Sequence, residues 1–364
     1  MVEFYFFQMA NLPRPIHVFG DFKEKFHVIA IDFYKSNNDE DIVICGYQIG
    51  LISTWSLSTY RCLRRINLDD YIKDKNIELL RLRSMIYIHC RQILVAELAS
   101  GNLCLFKCDF DDLENFHLIN HWPTLKLTFA KMIFILENRF LTYLDPDNSK
   151  QINLIDLDQP TTEPAIKIIT EENDHGIVMA SHLFFNTNRF LYNFITYEDG
   201  FLLINKSYLD SNKPIIYSQS LSSVQLHQGE ILHMDYNNCI ERGIACCAPN
   251  KIVIWKCSKY RKIDLFKNKR FSINSESITC CTIRPDGEIF AIGSKDGRIR
   301  LFTTSHGRPL AVITYHHESI ETLRFTSNLS MDIKQNQTKY LLFASTQDGL
   351  ISIWSLYNNN DVSD

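Results

Sequence analysis

At 364 residues and a formal net charge of −4, the chain is long enough for one large all-β domain and carries no general attraction to phosphate backbones. Hydrophobic residues at 45% and charged residues at 22% exclude a disordered or fibrous class. Aromatics at 12%, with 24 Phe and 16 Tyr, favour strands, where flat rings pack on pleated surfaces.

In chain order, residues 1–10 are apolar but contain Glu3 and no basic stretch, so they make a poor signal peptide. Residues 15–19 read as a lone outer strand. A four-strand unit follows: 28–33, 41–46 and 51–57 as inner strands, and 62–67 as the outer one. The next two units, up to about residue 155, are blurred. Three later segments share a clearer plan of strand, Asp-Gly turn, strand. They are FITYEDGFLLI (194–204), FAIGSKDGRIRLF (290–302) and LLFASTQDGLISIW (341–354). Asp-Gly suits a tight antiparallel turn, because Gly adopts positive φ without penalty. The sixth unit reads as 278–283, 288–293, 298–302 and 309–314.

The third-strand ends mark a period: Trp55, Phe106, Ile155, Asn205, Trp255, Phe302 and Trp354, in steps of 47 to 52 residues. Seven four-stranded units at such spacing predict a seven-bladed β-propeller filling residues 1–364 as one domain. The last unit lacks an outer strand of its own, and 15–19 supplies it, which closes the ring and hides a sheet edge.

The units resemble WD repeats, which buries a His, a Ser or Thr, an Asp and a Trp as one hydrogen-bonded set. Only the last unit keeps all four: His316, Ser345 or Thr346, Asp348 and Trp354. The fifth keeps His227 and Trp255 but turns through Ala248-Pro249-Asn250. The fourth and sixth keep Asp199 and Asp296. No unit has the Trp-Asp pair. A narrower resemblance lies in the order of GIVMA (176–180), YEDG (197–200), LHQGEIL (226–232), GSKDGRIRLF, RPLAVITYHHESIETLRF (308–325) and ISIWSLY (351–357). These pieces are similar to the ASTRA-associated protein 1 family of fungi, related to the animal guanine nucleotide-binding protein β-subunit-like protein 1. That resemblance implies a nuclear and cytoplasmic adaptor in a chromatin-associated assembly. Its implied partners are the cochaperone that matures phosphatidylinositol-3-kinase-related kinases and the RuvB-like ATPases. The expected state is a monomer within a larger complex; no apolar stretch approaches the length that spans a bilayer, and no aromatic platform or groove-reading helix predicts direct nucleic acid contact.

Chemical motifs are sparse. GxGxxG, GxxxxGK[ST], GxSxG and HExxH do not occur, and no cofactor or metal is expected. The eleven Cys include adjacent pairs (Cys246 and Cys247, Cys280 and Cys281) and no CxxC, which reads as reduced core thiols. Cys104 and Cys108 are read as core, and His117 and His121 as outer-strand residues. Asn205, Asn328 and Asn336 head chance N-x-S/T matches. The run 256–271, KCSKYRKIDLFKNKRF, holds Lys256, Lys259, Arg261, Lys262, Lys267, Lys269 and Arg270 against Asp264 alone. It is either a solvated outer strand or a docking patch for an acidic partner. The acidic clusters 109–114 and 171–174 read as loop solvation, and 326–339 as a polar insertion that is either disordered filler or a partner contact. The expected function is a non-catalytic scaffold. The rivals are a ubiquitin-ligase substrate receptor, whose Trp-Asp-x-Arg signature is absent, and an enzyme with a central-channel site.

Overall fold

The computed structural model describes residues 14–20, 25–72, 81–112, 115–126, 134–136, 139–149, 151–158, 166–169, 175–185, 190–208, 215–217, 219–258, 262–326 and 340–357. Within them the strands form seven sheets, antiparallel but for one added strand in the third. The first sheet runs Val28–Lys35, Asp41–Tyr47, Leu51–Ser56 and Cys62–Asn67, from innermost to outermost. The second runs Leu82–Ile88, Ile93–Leu98, Asn102–Lys107 and His117–Pro123. Phe134–Leu136, Phe140–Leu144, Ile152–Asp156 and Ile166–Ile169 open the third. Its fifth strand, Ile215–Tyr217, is parallel to Ile166–Ile169 and comes from a later connection, inside the fourth sheet.

The fourth sheet is Val178–Phe185, Phe190–Tyr197, Phe201–Tyr208 and Gln219–Gln225. The fifth is Ile231–Asn237, Arg242–Cys247, Lys251–Ser258 and Lys262–Ser272. The sixth is Ile278–Ile283, Ile289–Ser294, Ile299–Thr303 and Pro309–Ile313. In the seventh, Ile320–Thr326, Leu341–Thr346 and Leu350–Ser355 are joined by the early strand His17–Gly20. That strand sets His17 opposite Ile353 and Gly20 opposite Leu350.

The pattern of burial explains why these segments are strands. Second strands are covered on both faces and read as unbroken apolar runs, as in Ile42, Val43, Ile44 and Cys45, all buried. Outer strands meet water, and Cys62–Asn67 buries only Ile66. The core is divided into clusters lying between successive sheets. One unites Ile44 with Leu94, first sheet with second. Others unite Leu105 with Tyr143, Leu144 with Ile195, Phe194 with Trp255, Ile254 with Phe290, and Ala291 with Trp354. Another joins Val43 of the first sheet to Phe343 of the seventh. Sheets stacked face on face through such layers make an all-β propeller.

Two devices recur. In six sheets the innermost strand carries a register shift after its first residue, as between Val28 and Ala30 or Ile320 and Thr322. Further along that strand, a side chain reaches the next sheet. The Asp32 carboxylate accepts from Tyr87 N at 2.7 Å, and Asp235 from Ile283 N at 2.7 Å. Arg324 donates to Ile31 O at 3.0 Å and pairs with Asp32 at 2.9 Å, linking seventh sheet to first. An inner edge would otherwise leave these backbone groups unpaired. The second device is a one-residue bulge on outer strands, whose extra residues are Leu63, Ile119, Leu221 and Leu310.

The acidic cluster 109–114 is not simple loop solvation. Asp111 accepts from Asn37 N at 2.8 Å and Tyr34 OH at 3.4 Å, while Asp109 accepts from Gln92 Nε2 at 2.7 Å. Asp111 clamps the second sheet's third-to-fourth connection onto the first sheet, while Asp109 ties it to its own sheet. The cluster 171–174 and most of 326–339 lie outside the described residues, as do Asn328 and Asn336. Asn205 is buried at mid-strand.

Candidate functional site

The polar side chains gather at the end of each sheet where the second strand turns into the third. Gly200 shows how tight that end is: φ is +84°, and a Cβ there would lie 2.0 Å from His227 O. An L-residue would be strained at this φ and blocked by backbone.

In the seventh sheet His316 Nε2 lies 2.7 Å from Ser352 Oγ, and Trp354 Nε1 donates to the same oxygen at 2.7 Å. Burial holds His316 down to about 4, so the ring is neutral at pH 7. The serine oxygen accepts from the indole and shares a second hydrogen bond with Nε2, whose direction follows the ring's tautomer. Asp348 accepts from Thr346 Oγ1. Ser345 points elsewhere, to Val28 O of the first sheet at 2.8 Å, because strand neighbours face opposite ways. Thus His316 and Trp354 meet through Ser352, Asp348 is held by Thr346, and Ser345 bridges sheets.

Ser352 has a counterpart. In the first sheet Trp55 Nε1 donates to Ser53 Oγ at 2.6 Å. The signal was in the sequence as Ile-Ser-Thr-Trp and Ile-Ser-Ile-Trp, with serine two places before tryptophan on one strand face. The fifth sheet reads Ile-Val-Ile-Trp there, and Trp255 Nε1 is buried with no partner among the described residues. A buried unmade hydrogen bond costs about 1–3 kcal/mol. Val253→Thr is therefore expected to raise the denaturant midpoint, whereas Val253→Ala, which adds no acceptor, lowers it. Equal losses in both variants would show that position 253 does not face the indole N–H.

The other sheets cap the same end differently. In the fourth, His175 Nδ1 sits 2.7 Å from Asp199 Oδ2, and its ring stacks on Phe201. In the sixth, Arg300 binds Asp296 at 2.7 Å, Ser294 Oγ at 2.8 Å and Asn274 O at 2.7 Å. Burial raises the Asp296 carboxyl, but the Arg300 hydrogen bond and charge outweigh it and hold the group below its ordinary value. In the third, Asn153 donates to Asp145 at 3.0 Å. In the fifth, His227 Nε2 lies 3.2 Å from Ala248 O.

The second sheet puts a carboxylate at this end. Glu97, 1% exposed, receives Arg83 at 3.0 Å, while its Oε2 has no partner among the described residues. Burial, opposed by Arg83, pushes its carboxyl up to about 7. The folded state therefore holds this proton more tightly than the unfolded chain. The resulting stability is present below pH 4.5 and is lost as pH rises through 7. Glu97→Gln should raise the melting temperature at pH 8 and do so much less at pH 5. A gain independent of pH would contradict this.

The remaining candidates fall in several places. Cys104 and Cys108 are buried, and burial pushes the Cys104 thiol up to about 12. His117 is exposed on the second sheet's outer strand, four residues before the half-buried His121. Among the described residues no group of three or more His, Cys, Asp or Glu side chains is placed to hold a metal ion. No helix among them is long and apolar enough to cross a membrane. Of the basic run, Lys256 is half-buried, Arg270 is exposed, and Lys259 and Arg261 lie outside the described residues. Lys262, Lys267 and Lys269 fall on the outer strand Lys262–Ser272. Its register jumps from Arg270, opposite Val253, to Leu265, opposite Trp255. Residues 266–269 thus bulge from the ladder opposite Ile254 alone. That bulge is larger than the one-residue bulges of the other outer strands.

A family model described as the anaphase-promoting complex subunit 4 WD40 domain matches residues 243–328. Over 136 residues, 37% of the chain, there is 28% identity to guanine nucleotide-binding protein subunit beta-like protein 1 of Mus musculus, covering 38% of it. Pre-mRNA-processing factor 19 of Schizosaccharomyces pombe is 30% identical over 22% of the chain and 15% of its own length. The U3 small nucleolar RNA-associated protein 15 homolog of Gallus gallus is 29% identical over 37% of the chain and 23% of its own length. The matches thus span well under half of each relative. The crystal structure of the C-terminal WD40 domain of Sif2 superposes with a TM-score of 0.59 at 15% identity. It covers 90% of this chain and 81% of that one, a likeness of fold alone.

Proposed function

We propose that this all-β propeller is of the WD40-repeat type and is a non-catalytic adaptor of an ASTRA-type chromatin-associated assembly. In this reading residues 1–364 form one seven-bladed ring closed by its N-terminal strand. Support comes from the seven sheets and from the pairing of His17–Gly20 with Leu350–Ser355. Rigid sheets that display many loops are suited to recognition. The observation that carries the finer reading is the 28% identity to the mouse β-like protein 1, together with the motif order in 176–357. The partners proposed are the kinase-maturation cochaperone and RuvB-like ATPases, and the location is the nucleus, with a cytoplasmic pool. Relatives named for pre-mRNA processing and for U3 small nucleolar RNA lend the nuclear location some support.

Within this reading the basic run of the fifth sheet is a docking patch for an acidic partner surface. Rim charges act mainly on association rate and salt dependence. Reversing Lys259, Arg261, Lys262 and Lys267 to Glu should slow association with purified cochaperone strongly at low salt and less at high salt. In this reading the four side chains face solvent, so the melting temperature should stay close to that of the parent. Unchanged association at low salt by the folded variant would remove the patch from the account.

A further inference from the structure

We propose that the outer edges of the seventh, first and second sheets form one docking surface for an acidic amphipathic helix of a partner protein. This rests on the adaptor reading and adds to it a surface separate from the basic run.

The large hydrophobics exposed among the described residues are Ile16 (41%), Ile49 (46%), Leu63 (48%), Ile119 (42%) and Tyr315 (46%). Scattered exposed apolar residues are ordinary. Ile16, Leu63 and Ile119 are not scattered, because they share one rung on three successive sheets. Leu63 is the bulge residue between the pairs Thr54–Arg64 and Trp55–Cys62. Ile119 is the bulge residue between Leu105–Asn120 and Phe106–Leu118. Ile16 donates its N–H to Ile353 O at 2.7 Å, the step beside Trp354. The corresponding bulge residues of the fourth and sixth sheets, Leu221 and Leu310, are instead packed against the core. His17 stacks on Tyr60 with centroids 3.7 Å apart, joining the seventh sheet's edge to the first sheet.

Charge points the same way. Segments 14–20, 61–67 and 117–123 contain Arg14, Arg61, Arg64 and Arg65, three histidines, and no Asp or Glu, in a chain of net charge −4. All four arginines are exposed; Arg64 donates to Phe110 O at 2.9 Å and Asp111 O at 3.2 Å, so Arg14 and Arg61 are the charges on which the proposal rests. The nearby acidic connection is occupied with its own bonds, Asp111 with Asn37 and Tyr34, and Asp109 with Gln92. Bulges and cationic side chains on an outer strand work against strand addition. A helix with an apolar stripe and acidic flanks matches both features without pairing to the edge.

The test uses the full chain and a fluorescent synthetic helix of about 20 residues, spanning about 30 Å, with a leucine stripe and glutamates elsewhere. Binding should weaken as salt rises. It should fall at least tenfold in the triple variant Ile16→Ser, Leu63→Ser, Ile119→Ser, whose melting temperature should stay near that of the parent. Arg14→Glu with Arg61→Glu should weaken binding at low salt and flatten the salt dependence. The proposal is overturned by no measurable binding, by equal binding to the triple variant, or by equal binding of a lysine-for-glutamate helix. It is also overturned if sedimentation shows parent chains pairing through this edge and the triple variant monomeric, since a second copy would then be the occupant. Peptide binding that ignores the triple variant, from a chain that still recovers the cochaperone, defeats the rim proposal and leaves the adaptor reading standing.

Discussion

Trp354→Ala is expected to lower the free energy of unfolding by about 3–5 kcal/mol, the range for emptying a fully buried large aromatic site. The indole is 0% exposed and lies in the layer between the sixth and seventh sheets, with Leu301, Ala291 and Leu342. Its removal opens a cavity and also leaves Ser352 without the donor that fixes its hydroxyl, and so loosens His316. Ser352→Ala tests the polar part alone. It keeps the ring but strands two buried groups, at a cost of about 1–3 kcal/mol. Asp348→Ala should cost about 1 kcal/mol, toward the low end of that range, because Thr346 Oγ1 keeps Leu350 O as an acceptor at 3.1 Å. Each of these is a large fraction of the 5–15 kcal/mol that is typical of a folded domain. If the Trp354→Ala midpoint barely moved in urea, the layer between the sixth and seventh sheets would not be packed as described.

Deleting residues 1–20 should be the most damaging change of all. It removes the strand paired with Leu350–Ser355 and exposes that edge to other chains. It also takes away Phe19, 3% exposed, whose ring lies 5.0 Å from Trp55 in the layer joining the seventh sheet to the first. Phe19→Ala alone should cost about 3–5 kcal/mol, and the deletion should exceed it. Gly20 sets how closely the strand approaches: a Cβ there would lie 2.3 Å from Gly349 O. The expected outcome is aggregation or a large drop in melting temperature. A truncated chain that melts like the parent would show that this strand contributes nothing to holding the sheets together.

The strands were legible because their residues meet two simple demands, apolar runs where both faces are covered and Asp-Gly where the chain must turn. The outer strand Cys62–Asn67 and the inner strand Ile278–Ile283 match the bounds read from the sequence. The turn-end site was legible only where it repeats a known residue type. Ser352 and Ser53 do not stand out because the WD pattern places its hydroxyl on the second strand, while the indole N–H here turns back along its own strand. Arg300 was missed because a guanidinium fills the space that a His or Trp fills elsewhere. The strand Ile215–Tyr217 was out of reach for a different cause. It is short and pairs parallel with a sheet more than 40 residues upstream, so no local periodicity announces it. The rim row is legible only from register, since nothing in LRRI or INHW says which residue is extra in the ladder.

The central claim is that this propeller works by holding partner proteins. Affinity purification of the tagged full chain from its native cells, followed by mass spectrometry, tests it most directly. The account predicts recovery of the kinase-maturation cochaperone subunits together with RuvB-like ATPases, in amounts comparable to the bait. Recovery of a cullin adaptor or a coat complex in their place would contradict it.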